Sequence, residues 1–281
     1  METVAFRCTS APAEYQITST TTVSLLGSSP SHNDSLYKGQ NTESEVDVPV
    51  RHIVFIKVHK AAGTTVQNIF LRYGYVKDLV FTLPMYDSTI SIRRFVTGYN
   101  VRPPPKNKSF DIVRFSRESF SKVQPNDSRY IGIVREPFHQ FQFNLQYYRQ
   151  RYVVNIPGNK AVLEYLLHND KYMRFRGGGG NTSTYNRMSY DFGFPDSLFW
   201  SKDQDEIENY LMKLDNDIDL VMVTEYFDES IVLMRRLLNW DLKYVLYGKL
   251  TEKKKKDPRL QIGSIDEKLY RNWATLYIRF L

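Results

Sequence analysis

Cysteine is nearly absent from this 281-residue sequence, which contains only Cys8. A single cysteine cannot form an intramolecular disulfide, and it excludes any zinc site built from several cysteines. The sequence also lacks an apolar run of about 18 residues, and its first residues lack the basic and apolar pattern of a signal peptide. As written, it therefore predicts no membrane span and no leader segment.

Acidic residues are in the minority, because 38 Lys and Arg face 31 Asp and Glu and give a formal charge of +7. This excess favours anionic partners such as a nucleotide, an acidic or sulfated sugar, nucleic acid or anionic lipid. The basic residues are scattered, and no aromatic and basic motif of an RNA-binding module occurs. We therefore do not expect nucleic acid as a partner.

The sequence predicts two regions of different character. Residues 1–48 are rich in Ser, Thr, Asn and Gly without a sustained helical or strand period, so we expect a disordered N-terminal tail. Residues 49–281 have the composition of one globular domain. The sequence stops inside a helical pattern, which leaves open a truncation of this domain at its C-terminus.

Strand patterns alternate with helix patterns along the domain. "HIVFIKV" is apolar and β-prone, and Val66, Ile69, Phe70 and Tyr73 then follow at helical spacing, with Gly74 as the expected helix end. The same order returns at "RYIGIVREP" with its following helix and at "DLVMVTEYFDES" with "IVLMRRLLNW". This alternation predicts an α/β fold with a parallel sheet flanked by helices.

The loop between the first strand and the first helix has the residue types that bind an anion. Small residues let the backbone approach a phosphate, hydroxyls and a lysine add donors, and a helix N-terminus attracts negative charge. The ATP and GTP motif G-x-x-x-x-G-K-[ST] is absent, because here the lysine precedes the glycine, which disfavours a nucleoside triphosphatase. The alternative is a tight turn with a threonine cap. The candidate residues are Lys60, Ala61, Ala62, Gly63, Thr64 and Thr65.

Two of these elements resemble the nucleotide site of sulfotransferases. Lys-x-x-Gly-Thr-Thr after a strand is similar to their 5′-phosphosulfate loop, which binds 3′-phosphoadenosine 5′-phosphosulfate (PAPS) in a P-loop NTPase-like fold. "YIGIVREPFHQFQFNLQYYR" is similar to their 3′-phosphate element, with Arg135 and Pro137 matching and Glu136 in place of the usual Asp. Arg135 can bind a phosphate with two parallel hydrogen bonds, or it pairs with Glu136 or solvent instead.

Further segments narrow the resemblance to the galactose-3-O-sulfotransferases, the galactosylceramide sulfotransferase group. From about residue 50 onward they are "FIKVHKAAGTTVQNIFLRYG", "MSYDFGF", "LVMVTEYFDESIVLMRRLLNW" and "NWATLYIRF". The resemblance implies sulfuryl transfer from PAPS to the 3-hydroxyl of a terminal β-galactose on a glycolipid, such as galactosylceramide, or on a glycan. It implies a protein of the Golgi membrane with a lumenal catalytic domain, attached by an N-terminal anchor not seen in this sequence, and a transfer that requires no metal. The Asn-x-Ser/Thr sequons at Asn33, Asn107, Asn126 and Asn181 predict a glycoprotein if the chain enters the secretory pathway.

The resemblance also implies residue roles. Lys60 stabilises the departing phosphate oxygen, Lys57 and the loop residues up to Thr65 hold the 5′-phosphate, and Arg135 holds the 3′-phosphate. His59 is either the general base or a residue that only hydrogen-bonds the loop. Asn144 either assists the 3′-phosphate, beside the position where the usual serine is replaced by phenylalanine, or is a polar residue on the solvated side of its helix.

One departure from the family pattern concerns catalysis. Family members carry a His-His pair before an Arg-Phe, whereas "FDIVRF" runs directly from Val113 to Arg114. The missing pair leaves open an inactive homologue that binds a nucleotide or a glycan. Transfer to another sugar position, such as a uronic acid 2-hydroxyl, also stays open, because the nucleotide site would look the same. Glu225 is a candidate for lining the site, whereas Asp228 and Glu229 suit the first turn of the next helix.

Overall fold

A computed structural model describes residues 48–85, 101–114, 125–148, 153, 155–173, 184–199, 201, 203–248 and 260–274. The tail expected at residues 1–48 lies outside these ranges except for Val48. The glycine-rich segment before Thr184 and the lysine-rich segment at 251–259 also lie outside them. None of the helices within the described ranges combines the length and the apolar character needed to cross a bilayer.

Four strands of the described chain form one parallel sheet in the order β2-β1-β3-β4. Val54 of β1 lies opposite Val113 of β2 and Tyr130 of β3, and Ile131 of β3 lies opposite Leu220 of β4. The parallel sheet predicted from the alternating pattern is thus confirmed. The strands are β1 (Ile53–Ile56), β2 (Ile112–Arg114), β3 (Arg129–Val134) and β4 (Leu220–Val223).

Helices follow and separate these strands, and a short 3₁₀ turn, Thr224–Tyr226, links β4 to the next helix. Helices thus alternate with the strands of a parallel sheet, so the chain has an α/β fold. The helices are α1 (Gly63–Val76), α2 (Pro137–Tyr148), α3 (Ala161–Leu167), α4 (Asn169–Met173), α5 (Arg187–Asp191), α6 (Asp196–Phe199), α7 (Gln204–Asp217), α8 (Phe227–Leu238), α9 (Leu242–Val245) and α10 (Ser264–Trp273).

The expectation that Gly74 ends the first helix is wrong. Helix α1 continues to Val76, and the N–H of Lys77 closes it on the carbonyl of Tyr73 at 2.9 Å. Gly74 is buried against Phe81, where an added Cβ would lie 2.2 Å from the Phe81 Cζ atom. Glycine is therefore required at this position by close packing and not by helix termination.

The apolar face of α1 anchors the loop that precedes it. Ile69 and Phe70 are buried, and Tyr73 stacks on Trp240 with ring centroids 3.4 Å apart. Each fully buried side chain of this size contributes about 1.5–3 kcal/mol. The start of α1 is therefore held firmly against the sheet.

The strand order creates a crevice at one edge of the sheet. From β1 the chain passes to β2 on one side, while β3 lies on the other side of β1. In open parallel sheets, ligands bind beyond the carboxyl ends of the strands at such a reversal. The loop after β1 and the residue after β3, Arg135, both lie at this edge.

Candidate functional site

The loop from Lys57 to Ala62 follows β1 in a compact turn. Lys60 and Ala62 adopt positive φ angles of 61° and 54°, which are uncommon for residues with a side chain. A Cβ added to Gly63 would lie 2.8 Å from Lys57 Cγ and 3.1 Å from the carbonyl oxygen of Val58. Only glycine therefore lets the first turn of α1 approach the loop this closely.

The N-terminus of α1 lacks the side-chain cap that the alternative interpretation required. The cap residue is Ala62, not a threonine, and no side chain accepts a hydrogen bond there. The first N–H groups of a helix have no partner within the helix and carry a partial positive charge. The turn therefore presents backbone donors of the kind that bind an anion.

Arg135 and the loop after β1 are brought together. The Arg135 Nη1 atom donates a hydrogen bond of 2.8 Å to the carbonyl oxygen of Lys60, and its Nε lies 3.8 Å from a Glu225 carboxylate oxygen. That Nε is buried and has no hydrogen-bond acceptor among the described residues. Burial lowers the pKa of the Arg135 guanidinium, and the charge of Glu225 partly offsets this effect.

Two cations of the site lie against aromatic rings of α2. The Arg135 guanidinium carbon is 4.1 Å from the ring centroid of Phe143, and the Lys60 ammonium lies over the ring of Tyr147. Both aromatic side chains are about half exposed. Lys57 points toward α1 instead, because its Nζ donates to Oε1 of Gln67 in that helix at 2.8 Å.

Asn144 is completely buried, so its interpretation as a residue on the solvated side of the helix is wrong. Neither its amide nitrogen nor its amide oxygen has a hydrogen-bond partner in the described part of the chain. One turn earlier on the same face of α2, Gln140 donates to the carbonyl oxygen of His59 at 2.8 Å. Asn144 therefore carries a buried, unsatisfied amide on the face of α2 that contacts the loop.

His59 takes part in a buried network that the sequence did not reveal. Its backbone N–H donates to Asp191 Oδ2 at 2.8 Å, and its ring Nδ1 lies 2.9 Å from the same oxygen. Arg187, one turn before Asp191 on α5, pairs with the Asp191 carboxylate at 2.9 Å. The only sequence signal was the i, i+4 spacing of an acid and a base, which says nothing of a partner 132 residues away.

Glu136, which replaces the usual Asp, lies at the start of α2. Its carboxylate accepts a hydrogen bond of 2.7 Å from the N–H of His139 and one of 2.8 Å from Arg271 of α10. Its own N–H donates to Glu225 at 3.2 Å. Glu225 thus lines the site as predicted, between Arg135 and Glu136, and Asp228 and Glu229 lie in the first turn of α8 as predicted.

Among the described residues, no three His, Cys, Asp or Glu side chains are grouped so that they could hold a metal ion. A cleft of about 400 Å³ lies between α2 and α10, lined by residues that include Glu136, His139 and Arg271. Its lining does not include the loop after β1. This cleft is therefore separate from the candidate anion-binding turn at the start of α1.

Comparison with known proteins identifies the family. The family model for galactose-3-O-sulfotransferase matches residues 6–280. Galactose-3-O-sulfotransferase 3 of Mus musculus is 31% identical over 228 residues, which cover 80% of this chain and 53% of the relative. Galactosylceramide sulfotransferase of Bos taurus is 28% identical over 247 residues, which cover 82% of this chain and 58% of the relative.

The chain thus spans little more than half the length of the curated relatives it matches. The family match extends over nearly the whole chain and includes the loop after β1, Arg135 and the segment around Asp191. The chain belongs to the galactose-3-O-sulfotransferase family.

Proposed function

We propose that this chain is a sulfotransferase that moves the sulfuryl group of PAPS to the 3-hydroxyl of a terminal β-galactose. The observation that carries the proposal is the 2.8 Å hydrogen bond between Arg135 Nη1 and the Lys60 carbonyl oxygen. It joins the two predicted phosphate-binding elements at one edge of the sheet. Membership of the family supplies the chemistry that such a pair of elements serves.

The proposal includes a P-loop NTPase-like sulfotransferase fold. The order β2-β1-β3-β4, with a phosphate-type loop between β1 and α1, supports it. The site would then lie where ligands of open parallel sheets usually bind. The loop differs from the nucleoside triphosphatase motif in the position of its lysine, which agrees with a different nucleotide.

Three features of the site fit a ligand with several anionic oxygens. The first turn of α1 has no side-chain cap, the Arg135 Nε has no acceptor among the described residues, and the Asn144 amide is buried without a partner there. Charged oxygen acceptors can accept from the backbone N–H groups of this turn, from the Arg135 Nε and from the Asn144 amide nitrogen. In this proposal Arg135 and Asn144 hold the 3′-phosphate, and the 5′-phosphate lies against Lys57, Lys60, Ala61, Ala62, Gly63, Thr64 and Thr65.

The bound donor supplies an activated sulfuryl group, so that the sugar oxygen gains sulfur, adenosine 3′,5′-bisphosphate leaves and one proton is released. The chain then has two tasks. The Lys60 ammonium stabilises the negative charge that develops at the phosphate oxygen, in a site where fixed charges act strongly. The His59 imidazole accepts the hydroxyl proton, because a sugar hydroxyl is a weak nucleophile without a base.

The acceptor is a galactose-terminated glycolipid, such as galactosylceramide, or a glycan. One relative is named for galactose alone and another for galactosylceramide. The chain is 31% identical to the first and 28% identical to the second, so identity does not choose between the two acceptors. The proposal places the reaction in the Golgi lumen, with the full-length protein attached to the membrane by an N-terminal segment. Fluorescence microscopy of the tagged full-length protein with a Golgi marker tests this placement.

The activity is tested by incubating the purified protein with radiolabelled PAPS and a panel of acceptors. The panel contains galactosylceramide, lactosylceramide, soluble β-galactosyl glycans and a uronic acid polymer. We expect label on β-galactosyl acceptors, and none on derivatives that lack the 3-hydroxyl. Label confined to the uronic acid polymer would shift the assignment to a 2-hydroxyl, and no label with intact adenosine 3′,5′-bisphosphate binding would indicate an inactive homologue.

A further inference from the structure

The segment "MSYDFGF", which the sequence marks only as a family feature, places a carboxylate beneath the loop after β1. The Asp191 side chain is 1% exposed, whereas the His59 side chain that it contacts is 33% exposed. A fully buried carboxylate is costly unless it is paired and hydrogen-bonded. The contacts of the Asp191 carboxylate with its neighbours must therefore offset the cost of burying its charge.

Asp191 binds His59 through both its backbone and its ring. Besides the backbone hydrogen bond of 2.8 Å to Oδ2, the His59 Nδ1 lies 2.9 Å from Oδ2 and 3.0 Å from Oδ1. A carboxylate can only accept hydrogen bonds, so the proton of a neutral imidazole must lie on Nδ1. The Nε2 atom then carries the lone pair and is the basic nitrogen.

Arg187 completes the network from the same helix. Its Nη2 donates to Asp191 Oδ1 at 2.9 Å and its Nε to Oδ2 at 3.2 Å. The same Nη2 lies 2.8 Å from His59 Nδ1 and 3.2 Å from Nε2. Because Nδ1 donates to Asp191 and cannot also accept, Nε2 is the ring atom that accepts from Arg187.

The charges of the network hold Asp191 ionised. Burial alone would raise the pKa of the Asp191 carboxyl, but the charge of Arg187 and the hydrogen bonds from His59 lower it further than burial raises it. Arg187 neutralises the carboxylate, so the imidazole faces a paired charge and not an isolated one. Gln140 of α2 donates to the His59 carbonyl oxygen and so fixes the backbone at His59.

We propose that Asp191 and Arg187 are positioning residues for His59. Asp191 fixes the tautomer with Nε2 unprotonated, and Arg187 holds Asp191 in place and contacts Nε2 until an acceptor hydroxyl replaces it. In the transfer, the hydroxyl proton moves to Nε2 as the sugar oxygen bonds to sulfur and the bond from sulfur to the nucleotide phosphate breaks. This inference rests on the proposed function, and it supplies the base of a chain that lacks the family His-His pair.

A double-mutant cycle tests the proposal. Asp191→Asn, His59→Ala and the double variant are compared for kcat and for KM of PAPS, with adenosine 3′,5′-bisphosphate binding measured by calorimetry. We expect Asp191→Asn to lower kcat by about 100-fold or more, since replacing the carboxylate that orients a catalytic histidine costs up to about 10⁴-fold. Nucleotide affinity should change less than about threefold, and in the His59→Ala background the second substitution should have almost no effect.

A buried carboxylate at the other end of the sheet provides the matched control. Asp111 precedes β2, is 6% exposed and accepts a hydrogen bond of 2.7 Å from the N–H of Val80. Asp111→Asn should lower the melting temperature without changing kcat more than about twofold, since it lies away from the site. Equal losses of kcat in Asp111→Asn and Asp191→Asn would show that Asp191 acts only through stability.

The tautomer of His59 provides a readout from the wild-type protein that does not require any variant to be active. In ¹⁵N-labelled wild-type protein, the His59 ring signals are assigned by their loss in His59→Gln. We expect a protonated Nδ1 and an unprotonated Nε2 in the neutral ring. The opposite tautomer, or a full additional loss of kcat from Asp191→Asn in the His59→Ala background, would overturn the inference while wild-type transfer stands. Wild-type protein that transfers no sulfate would instead overturn the proposed function.

Discussion

Replacing Gly63 by alanine is a direct test of the anion-binding turn. The added Cβ would lie 2.8 Å from Lys57 Cγ and 3.1 Å from the Val58 carbonyl oxygen, both closer than ordinary contact. Lys57 cannot simply swing away, because its Nζ is bound to Gln67 Oε1. The loop or the start of α1 must therefore shift by several tenths of an ångström.

The expected magnitude follows from this overlap. Inserting a methyl group into a packed site costs about 1–3 kcal/mol. If the nucleotide requires the original loop geometry, a cost of this size appears in binding, and every 1.4 kcal/mol is about tenfold. We expect Gly63→Ala to bind adenosine 3′,5′-bisphosphate about 5- to 150-fold more weakly in calorimetry. The melting temperature should fall only by the amount that the steric overlap of the added methyl group explains.

Two other glycines separate binding from stability. Gly74→Ala places a methyl group 2.2 Å from Phe81 Cζ, far from the loop, and should lower stability without changing nucleotide affinity. Gly248→Ala meets no atom of the described residues within 4 Å and should change neither. If Gly63→Ala binds the nucleotide as tightly as wild type while Gly74→Ala is destabilised, the turn at Gly63 does not hold a phosphate.

The remaining predictions concern three further residues. Lys60→Ala should lower kcat about 10²- to 10³-fold at saturating PAPS, since one charge-stabilising contact is worth about 2.7–4 kcal/mol; a loss confined to KM would contradict its role at the leaving oxygen. Asn144→Ala removes an amide that is unpaired within the described chain, so the stability should change little. The variant should bind adenosine 3′,5′-bisphosphate about tenfold more weakly than wild type and adenosine 5′-phosphate equally well. Asp191 has a lowered pKa in the fold, so its contribution is complete above the ordinary Asp pKa of about 3.9 and is lost as pH falls through the lower folded value. The stability difference between wild type and Asp191→Asn, from urea unfolding, should therefore shrink below about pH 4; a difference that stays constant between pH 6 and pH 3 would refute this.

The sequence predicted the parts of the fold whose signal is local. The strands β1, β3 and β4 are apolar runs followed by helical patterns, so period and order were enough to predict a parallel sheet. The strand β2 (Ile112–Arg114) was not predicted, because three residues show no period and its place beside β1 depends on pairing. Gly74 was misread because its role is a contact with Phe81, which spacing cannot reveal.

The same distinction applies to the site. The loop after β1 was predicted to bind an anion because it follows a strand of a parallel sheet, and its cooperation with Arg135 was predicted from the resemblance to the sulfotransferase nucleotide site. Asp191 and Arg187 were missed because they lie on a helix of only five residues, Arg187–Asp191, which is too short to show a helical period. Asn144 was ambiguous because α2 carries aromatic residues on both its buried and its exposed sides, so its buried face cannot be read from period alone.

Two of the departures from the family pattern, Glu136 and the missing His-His pair, have different physical consequences. At Glu136 the additional methylene keeps the hydrogen bond to the start of α2, through the His139 N–H, and also reaches Arg271 of α10. Glu136 thus remains bonded to the start of α2 beside Arg135, the residue proposed to hold the 3′-phosphate. The missing histidines have no such local substitute at β2, and the histidine that the structure places at the loop is His59. Because Asp191 can set its tautomer from beneath, a chain without the pair still has a base with its lone pair on Nε2, which favours an enzyme over an inactive homologue.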